Sequence, residues 1–110
     1  MMRVDAVWLS ATPQDLRAGM EALLAQVVKV FGEARPHEAY LFANRRSTRI
    51  KILIHDGIGI WLAVRRLHQG HFVWPREASA PLSLTRGQFE ALVLGLPWQH
   101  LGDGGVIRVL

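Results

Sequence analysis

The stretch Arg49-Ile50-Lys51-Ile52-Leu53-Ile54-His55-Asp56-Gly57-Ile58-Gly59-Ile60-Trp61-Leu62-Ala63-Val64-Arg65-Arg66 decides the fold. Two runs rich in β-branched residues flank a short polar interruption, which is the pattern of a β-hairpin. Let His55-Asp56-Gly57 be a three-residue loop with Gly57 in the left-handed position. Ile54 then pairs with Ile58, Ile52 with Ile60 and Ile50 with Leu62. One face is aliphatic, and the other collects Arg49 and Lys51 beside Trp61 and Ala63, with Arg65 just beyond. A slip of one residue would mix the two sets on each face, so burial selects this register. It predicts an aliphatic face packed on helices and an Arg-Lys-Trp face turned outward.

Outward from the hairpin, Tyr40-Leu41-Phe42 reads as a preceding strand and His71 to Trp74 as a following one. The linkers Asn44 to Ser47 and His68-Gln69-Gly70 are short, so the strands form an antiparallel meander. Val4, Val7, Trp8 and Leu9 suggest a first strand, and Val106 to Leu110 an apolar edge strand. Thr12-Pro13-Gln14-Asp15 has the residues of a helix start, with Leu16, Met20, Leu23, Leu24, Val27 and Phe31 on one face and Gly32 as the stop. Thr85 and Gln88 form a capping box for a second helix, with Leu84 and Phe89 as its staple and Gly95 and Pro97 at its end. The fold class is therefore α+β: an antiparallel β-meander sheet with two α-helices packed on one face. Residues 1–110 read as a single domain, since 110 residues at 50% hydrophobic content can bury one ordinary core.

The same central region carries the charge. Between Tyr40 and Arg76 there are seven cations and one acid, a net of +6, whereas the rest of the chain nets −2. A structured basic surface points to a polyanion, most readily nucleic acid. Arg45, Arg46, Arg49, Lys51, Arg65 and Arg66 are the expected phosphate contacts, and Trp61 a platform on which a base could stack. The pattern also fits a small second core or a dimer contact around Trp61, with solvated arginines around it.

Other chemistries find little in the chain. It has no cysteine, which removes disulfides, thiolate metal sites and cysteine nucleophiles, and suits a reducing, cytoplasmic setting. No signal peptide and no membrane-spanning run is legible. His68-x-x-His71 with His55 is weak metal spacing, and no metal or other cofactor is expected. The nine carboxylates are scattered, with no cluster of the kind a metal-dependent nuclease needs. Asp15 reads as a first-turn helix acid and Asp56 as a turn residue. Phe72-Val73-Trp74-Pro75 reads as a buried strand end.

Several short motifs recur in order along the chain: Asp15-Leu16-Arg17-x-Gly19, Leu41-Phe42-x-Asn44-Arg45-Arg46, Lys51-Ile52-Leu53 and Asp56-Gly57-x-Gly59. Arg65-Arg66-Leu67, Gly70-x-Phe72-x-Trp74-Pro75 and Leu94-Gly95-Leu96 continue the series. This ordered series, from Asp15 to Trp98, resembles the TnpB accessory family encoded by the second reading frame of insertion-sequence-66 transposons, which is distinct from the RNA-guided nuclease of the same name. The family has lysine at the position of Arg65, an aromatic at His55 and a basic residue at His71. The resemblance implies a protein that assists transposition, with strand transfer left to a larger transposase; joined to the basic sheet face, it reads as a non-catalytic accessory protein that binds DNA or a transposase–DNA assembly. It supplies no catalytic residues. The alternative is a protein adapter for the transposase without direct DNA binding, using Trp61, Phe72 and Trp74 as an apolar contact.

Overall fold

The computed structural model describes residues 3–75 and 81–101. The elements in chain order are β1 (Ala6–Leu9), α1 (Met20–Phe31), β2 (Glu38–Ala43), β3 (Arg49–His55), β4 (Ile60–Arg66), β5 (Leu82–Leu84) and α2 (Arg86–Val93). The strands form one five-stranded sheet in the order β4-β3-β2-β1-β5. The α+β class and the largely antiparallel meander β2-β3-β4 stand as the sequence implies. The apolar segment Val106 to Leu110 lies outside the described residues.

Two features of the architecture differ from expectation. First, β1 runs parallel to β2, with α1 as the crossover, so the sheet is mixed. The short strand β5 closes the far edge against β1 in antiparallel register, where the sequence offered only a helix approach. Second, the helices lie on opposite faces. Leu23 and Val27 of α1 join Tyr40, Phe42 and Leu53 in one core. Ala91 and Leu92 of α2 join Leu9, Leu41, Ile50 and Ile52 in the other, together with Phe72, Trp74 and Trp98. β2 is the reason. Apart from Glu38 at its start, every residue of Glu38–Ala43 is buried, on both sides of the pleat. Such a strand needs a layer against each face.

The hairpin register also departs from expectation. Ile54 pairs with Trp61, Ile52 with Ala63 and Ile50 with Arg65, a shift of three residues. The cause is Asp56. Its carboxylate accepts from the N–H groups of Ile58 at 2.9 Å and Gly59 at 2.7 Å, and its own N–H donates to Gly59 O at 3.0 Å. An aspartate closing its own turn in this way makes a four-residue loop, Asp56 to Gly59, in place of the three-residue one. An odd shift exchanges the faces of β4. Ile60 and Leu62 therefore pack on the α1 side, not with Ile50 and Ile52. Trp61 falls on the side of the isoleucines of β3, opposite Arg49 and Lys51.

α1 begins seven residues later than a cap at Thr12 implied. Gln14 N–H is taken by Ala43 O at 2.9 Å, and Asp15 turns the chain locally by accepting Arg17 N–H at 3.0 Å. A side-chain acceptor that satisfies the backbone this way competes with helix formation. α2 follows the sequence closely. Thr85 Oγ1 accepts from Gln88 N–H at 3.1 Å, and Gln88 Oε1 accepts from Thr85 N–H at 2.9 Å, completing the capping box. His71 to Trp74 forms no strand, yet Phe72 and Trp74 are buried as expected. Trp74 donates its indole N–H to Ser10 O at 3.0 Å, and Phe72 N–H bonds Ser47 O at 2.7 Å.

Candidate functional site

The turn Asn44 to Thr48, between β2 and β3, organises the basic end of the molecule. Asn44 builds it. Its Oδ1 accepts from the N–H groups of Thr48 at 2.9 Å and Arg49 at 3.1 Å, and its Nδ2 donates to Thr48 Oγ1 at 2.9 Å. Ser47 adopts a left-handed φ of 57° and donates its N–H to Asn44 O. With the polar groups of the turn consumed internally, Arg45 and Arg46 project into solvent.

Against this turn lies the segment from Ser10 to Ala18, which prolongs β1 beside the end of β2 through Ser10 N–H to Leu41 O and Gln14 N–H to Ala43 O. Between the two is an open cleft of about 320 Å³ lined by Gln14, Asp15, Leu16, Arg17, Asn44, Arg45, Arg46 and Arg49. A second hollow of about 190 Å³ shares Asn44 and Arg45 and reaches Ala11, Pro13, Ser47, Trp74 and Pro75. Three motifs far apart in sequence, Asp15-Leu16-Arg17, Asn44-Arg45-Arg46 and Trp74-Pro75, thus meet at one end of the sheet.

The electrostatics of the first cleft are lopsided. Four guanidiniums face it and one carboxylate. Asp15 is engaged by Arg17, Oδ2 to Nη2 at 2.8 Å. The hydrogen bonds from the Arg17 side chain, and then from its backbone N–H, pull the Asp15 carboxyl down to about 2. Among the described residues, the ion pairs are Arg3–Asp5, Arg17–Asp15, Arg35–Glu33 and Arg86–Glu90. Arg45, Arg46 and Arg49 take part in none of them.

The remaining candidates divide. Arg66 pairs across the strands with Arg49, which brings it to the same end and the same face. Arg65 stands opposite Ile50 and so points to the other face. Lys51 is half-buried and donates its ammonium to Ala18 O at 2.9 Å, which ties the Asp15–Gly19 turn to the sheet instead of facing outward. Trp61 is displaced from the basic end. Five pairing steps along the strands separate it from the Arg49–Arg66 pair, about 17 Å at the usual rise. Its indole N–H is held by Asp56 Oδ2 at 2.6 Å. The expected Arg-Lys-Trp face is therefore not assembled. Phe72 and Trp74 are buried and cannot serve as the surface anchors of the adapter reading.

Arg17 was missed as a site residue because a helix starting at Thr12 puts it off the apolar face that begins with Leu16 and Met20, among ordinary solvated side chains. The signal was the aspartate two residues before it, which favours a local turn. Among the described residues, no group of three or more His, Asp or Glu side chains is placed to hold a metal ion.

The comparisons with known proteins agree with the ordered motifs. Residues 5–103 match the family model described as IS66 Orf2 like protein. Two proteins of Sinorhizobium fredii, the uncharacterized proteins y4hO and y4jC, are similar to the chain. The first is 29% identical over 96 residues, covering 86% of this chain and 83% of its own. The second is 30% identical over 97 residues, covering 86% and 82%. No solved structure matches. With almost its whole length matched, the chain belongs to the IS66 Orf2-like family of transposon accessory proteins.

Proposed function

We propose that the chain is a non-catalytic accessory protein that binds DNA of its transposable element through the arginine end of the sheet. One observation carries this reading. Arg17, Arg45, Arg46 and Arg49, from two separate segments, line one open cleft with a single acid that is already paired. Arg45, Arg46 and Arg49 have no counter-charge among the described ion pairs and repel one another, and a row of phosphates relieves that repulsion while releasing its own counterions. Phosphate contact requires no base recognition. With Trp61 elsewhere, the reading rests on backbone binding rather than on stacking. Arg66 extends the surface beside Arg49. Strand transfer remains with a separate transposase. Asp15 and Asp56 are both occupied in shaping turns.

The test is a titration of labelled duplex DNA by fluorescence anisotropy across a range of salt. Four cations meeting phosphates give a log-log slope of roughly −3 to −4. Replacing Arg45 and Arg46 together by alanine should flatten the slope by about 2 and weaken binding to all sequences. Arg35, paired with Glu33 and outside the cleft, is the control. Equal losses for Arg35→Ala would mean diffuse attraction and no dedicated site. No DNA binding at low salt, together with co-purification of the transposase, would favour the adapter reading.

A further inference from the structure

The outer strand β4 leaves one edge of the sheet unpaired among the described residues, and it is unusually apolar for an edge. Trp61 is 55% exposed and Val64 59%, and Ile58 in the preceding loop is 98% exposed. Natural edges are ordinarily protected by charge, proline or irregularity. Here the only charges on the strand are Arg65 and Arg66 at its end.

The hydrogen-bonding phase of this edge can be read from the turn. Asp56 N–H donates to Gly59 O, so the adjoining His55–Ile60 pair is of the non-hydrogen-bonded kind. Alternation then makes Trp61, Ala63 and Arg65 bond to β3. The N–H and C=O groups of Ile60, Leu62, Val64 and Arg66 point away from the sheet. The Asn44 N–H to Arg49 O bond at the other end of β3 gives the same phase.

We infer that β4 pairs antiparallel with β4 of a second copy of this chain about a twofold axis at Ala63, forming a continuous ten-stranded sheet. The register follows from the strand itself. A twofold pair must join outward-facing residues to outward-facing residues, and centring on Ala63 uses the whole of Ile60–Arg66. Leu62 then bonds Val64 of the second copy, and Ile60 bonds Arg66. On the opposite face, Trp61 meets the second copy's Arg65, twice by symmetry. These are non-hydrogen-bonded pairs, in which side chains approach most closely. An arginine over an indole is a favourable cation–π pair. The same indole holds the Asp56 carboxylate, so each Arg65 arrives beside an acid as well as a ring. No arginine faces an arginine across the seam. The arginines that would discourage an arbitrary partner are thus complementary to a second copy. The twofold axis stands perpendicular to the sheet, so α1 and the arginine cleft of both copies lie on the same side.

Sedimentation equilibrium of the full chain tests this. The expected result is a concentration-dependent mass that approaches twice 12.4 kDa. Val64→Pro should remain monomeric while keeping its circular dichroism, because the lost N–H points outward and the side chain is exposed. Arg65→Glu, a surface change that leaves the fold alone, should weaken the dimer at least tenfold by losing the cation beside Trp61 and placing a second acid near Asp56. Amide hydrogen exchange supplies a residue-level readout. Leu62 and Val64 should gain protection as concentration rises, whereas Ala63 should be protected throughout. A parent that stays monomeric at high micromolar concentration overturns the inference. So does a dimer that survives Arg65→Glu unchanged, or a monomer in which Leu62 and Val64 are already protected, which would mean that another segment of the same chain covers the edge. These readouts involve no DNA, so they fail or succeed independently of the proposed binding function.

Discussion

Replacing Asn44 by alanine should loosen the arginine-bearing turn without removing any charge. Three hydrogen bonds are lost: Thr48 N–H and Arg49 N–H to Oδ1, and Nδ2 to Thr48 Oγ1. At a net of about 0.5–1.5 kcal/mol each, the upper range is about 1.5–4.5 kcal/mol. Asn44 is half-buried, so water can reach the orphaned amides, and the expected cost falls to about 1.5–3 kcal/mol. Asn44→Asp separates structure from charge. It keeps the acceptor for both amides, and the Thr48 hydroxyl can rotate to donate in place of the lost Nδ2. Its stability should stay within about 1 kcal/mol of the parent. It also places a negative charge among Arg45, Arg46 and Arg49. Against a phosphate about 6 Å away at an effective dielectric of about 40–80, that costs about 0.7–1.4 kcal/mol, a three- to tenfold weakening. Thermal melting and DNA anisotropy on the same samples check both. Asn44→Ala should melt earlier and bind with an unchanged salt slope, and Asn44→Asp should melt like the parent and bind less. The reversed pattern would refute the assignment of Asn44 as the support of a phosphate-binding turn.

Two further outcomes follow from the geometry. The Asp15 carboxyl, lowered to about 2 by Arg17, contributes its turn bonds above the ordinary aspartate range and loses them as pH falls through about 2, so Asp15 keeps its charge from pH 5 to 8. An NMR titration should show this, and Arg17→Ala should raise the midpoint only part of the way toward about 4, because the backbone N–H of residue 17 still donates to the carboxylate; a parent midpoint already near 4 would mean that the pair does not form in solution. Gly95 has a φ of 77°, and a Cβ there would come within 2.9 Å of Leu67 Cδ1. Gly95→Ala should therefore destabilise by about 1–3 kcal/mol, chiefly through the left-handed backbone, and an unchanged melting temperature would contradict the positive φ at this position.

How much of this was legible depended on the range of the signal. The capping box at Thr85 and Gln88, the hairpin existence and the burial of Phe72 and Trp74 are local or compositional, and they read correctly. The hairpin register did not, because a single carboxylate converted a three-residue loop to four. The parallel pairing of β1 with β2 spans some thirty residues and has no local signature. The two-sided core was foreshadowed in β2, where Ala39 to Ala43 is apolar without alternation, the mark of a strand covered on both faces. The cleft was half legible. Arg45, Arg46 and Arg49 stood out by charge, whereas Arg17 emerged only once Asp15 was seen to close a turn.

The corrected register changes what kind of nucleic-acid contact is reasonable. With Trp61 among the arginines, a single strand could stack its bases while its phosphates were held, and the chain would resemble a stacking platform. With Trp61 about 17 Å away along the strands and on the other face, the cleft offers guanidiniums and no aromatic ring. Guanidiniums alone read charge and spacing, not bases. The proposed DNA contact and the proposed contact between chains then fall in different places. Arg45, Arg46 and Arg49 gather at the β2–β3 turn, whereas Trp61 and Val64 remain on the free edge of β4. Arg65 belongs with the edge and Arg66 lies where the two meet. A variant at Arg45 should therefore alter DNA affinity without altering association between chains, and a variant at Val64 should do the reverse. That independence follows from one extra residue in a turn, because the three-residue loop would have forced both surfaces onto a single face.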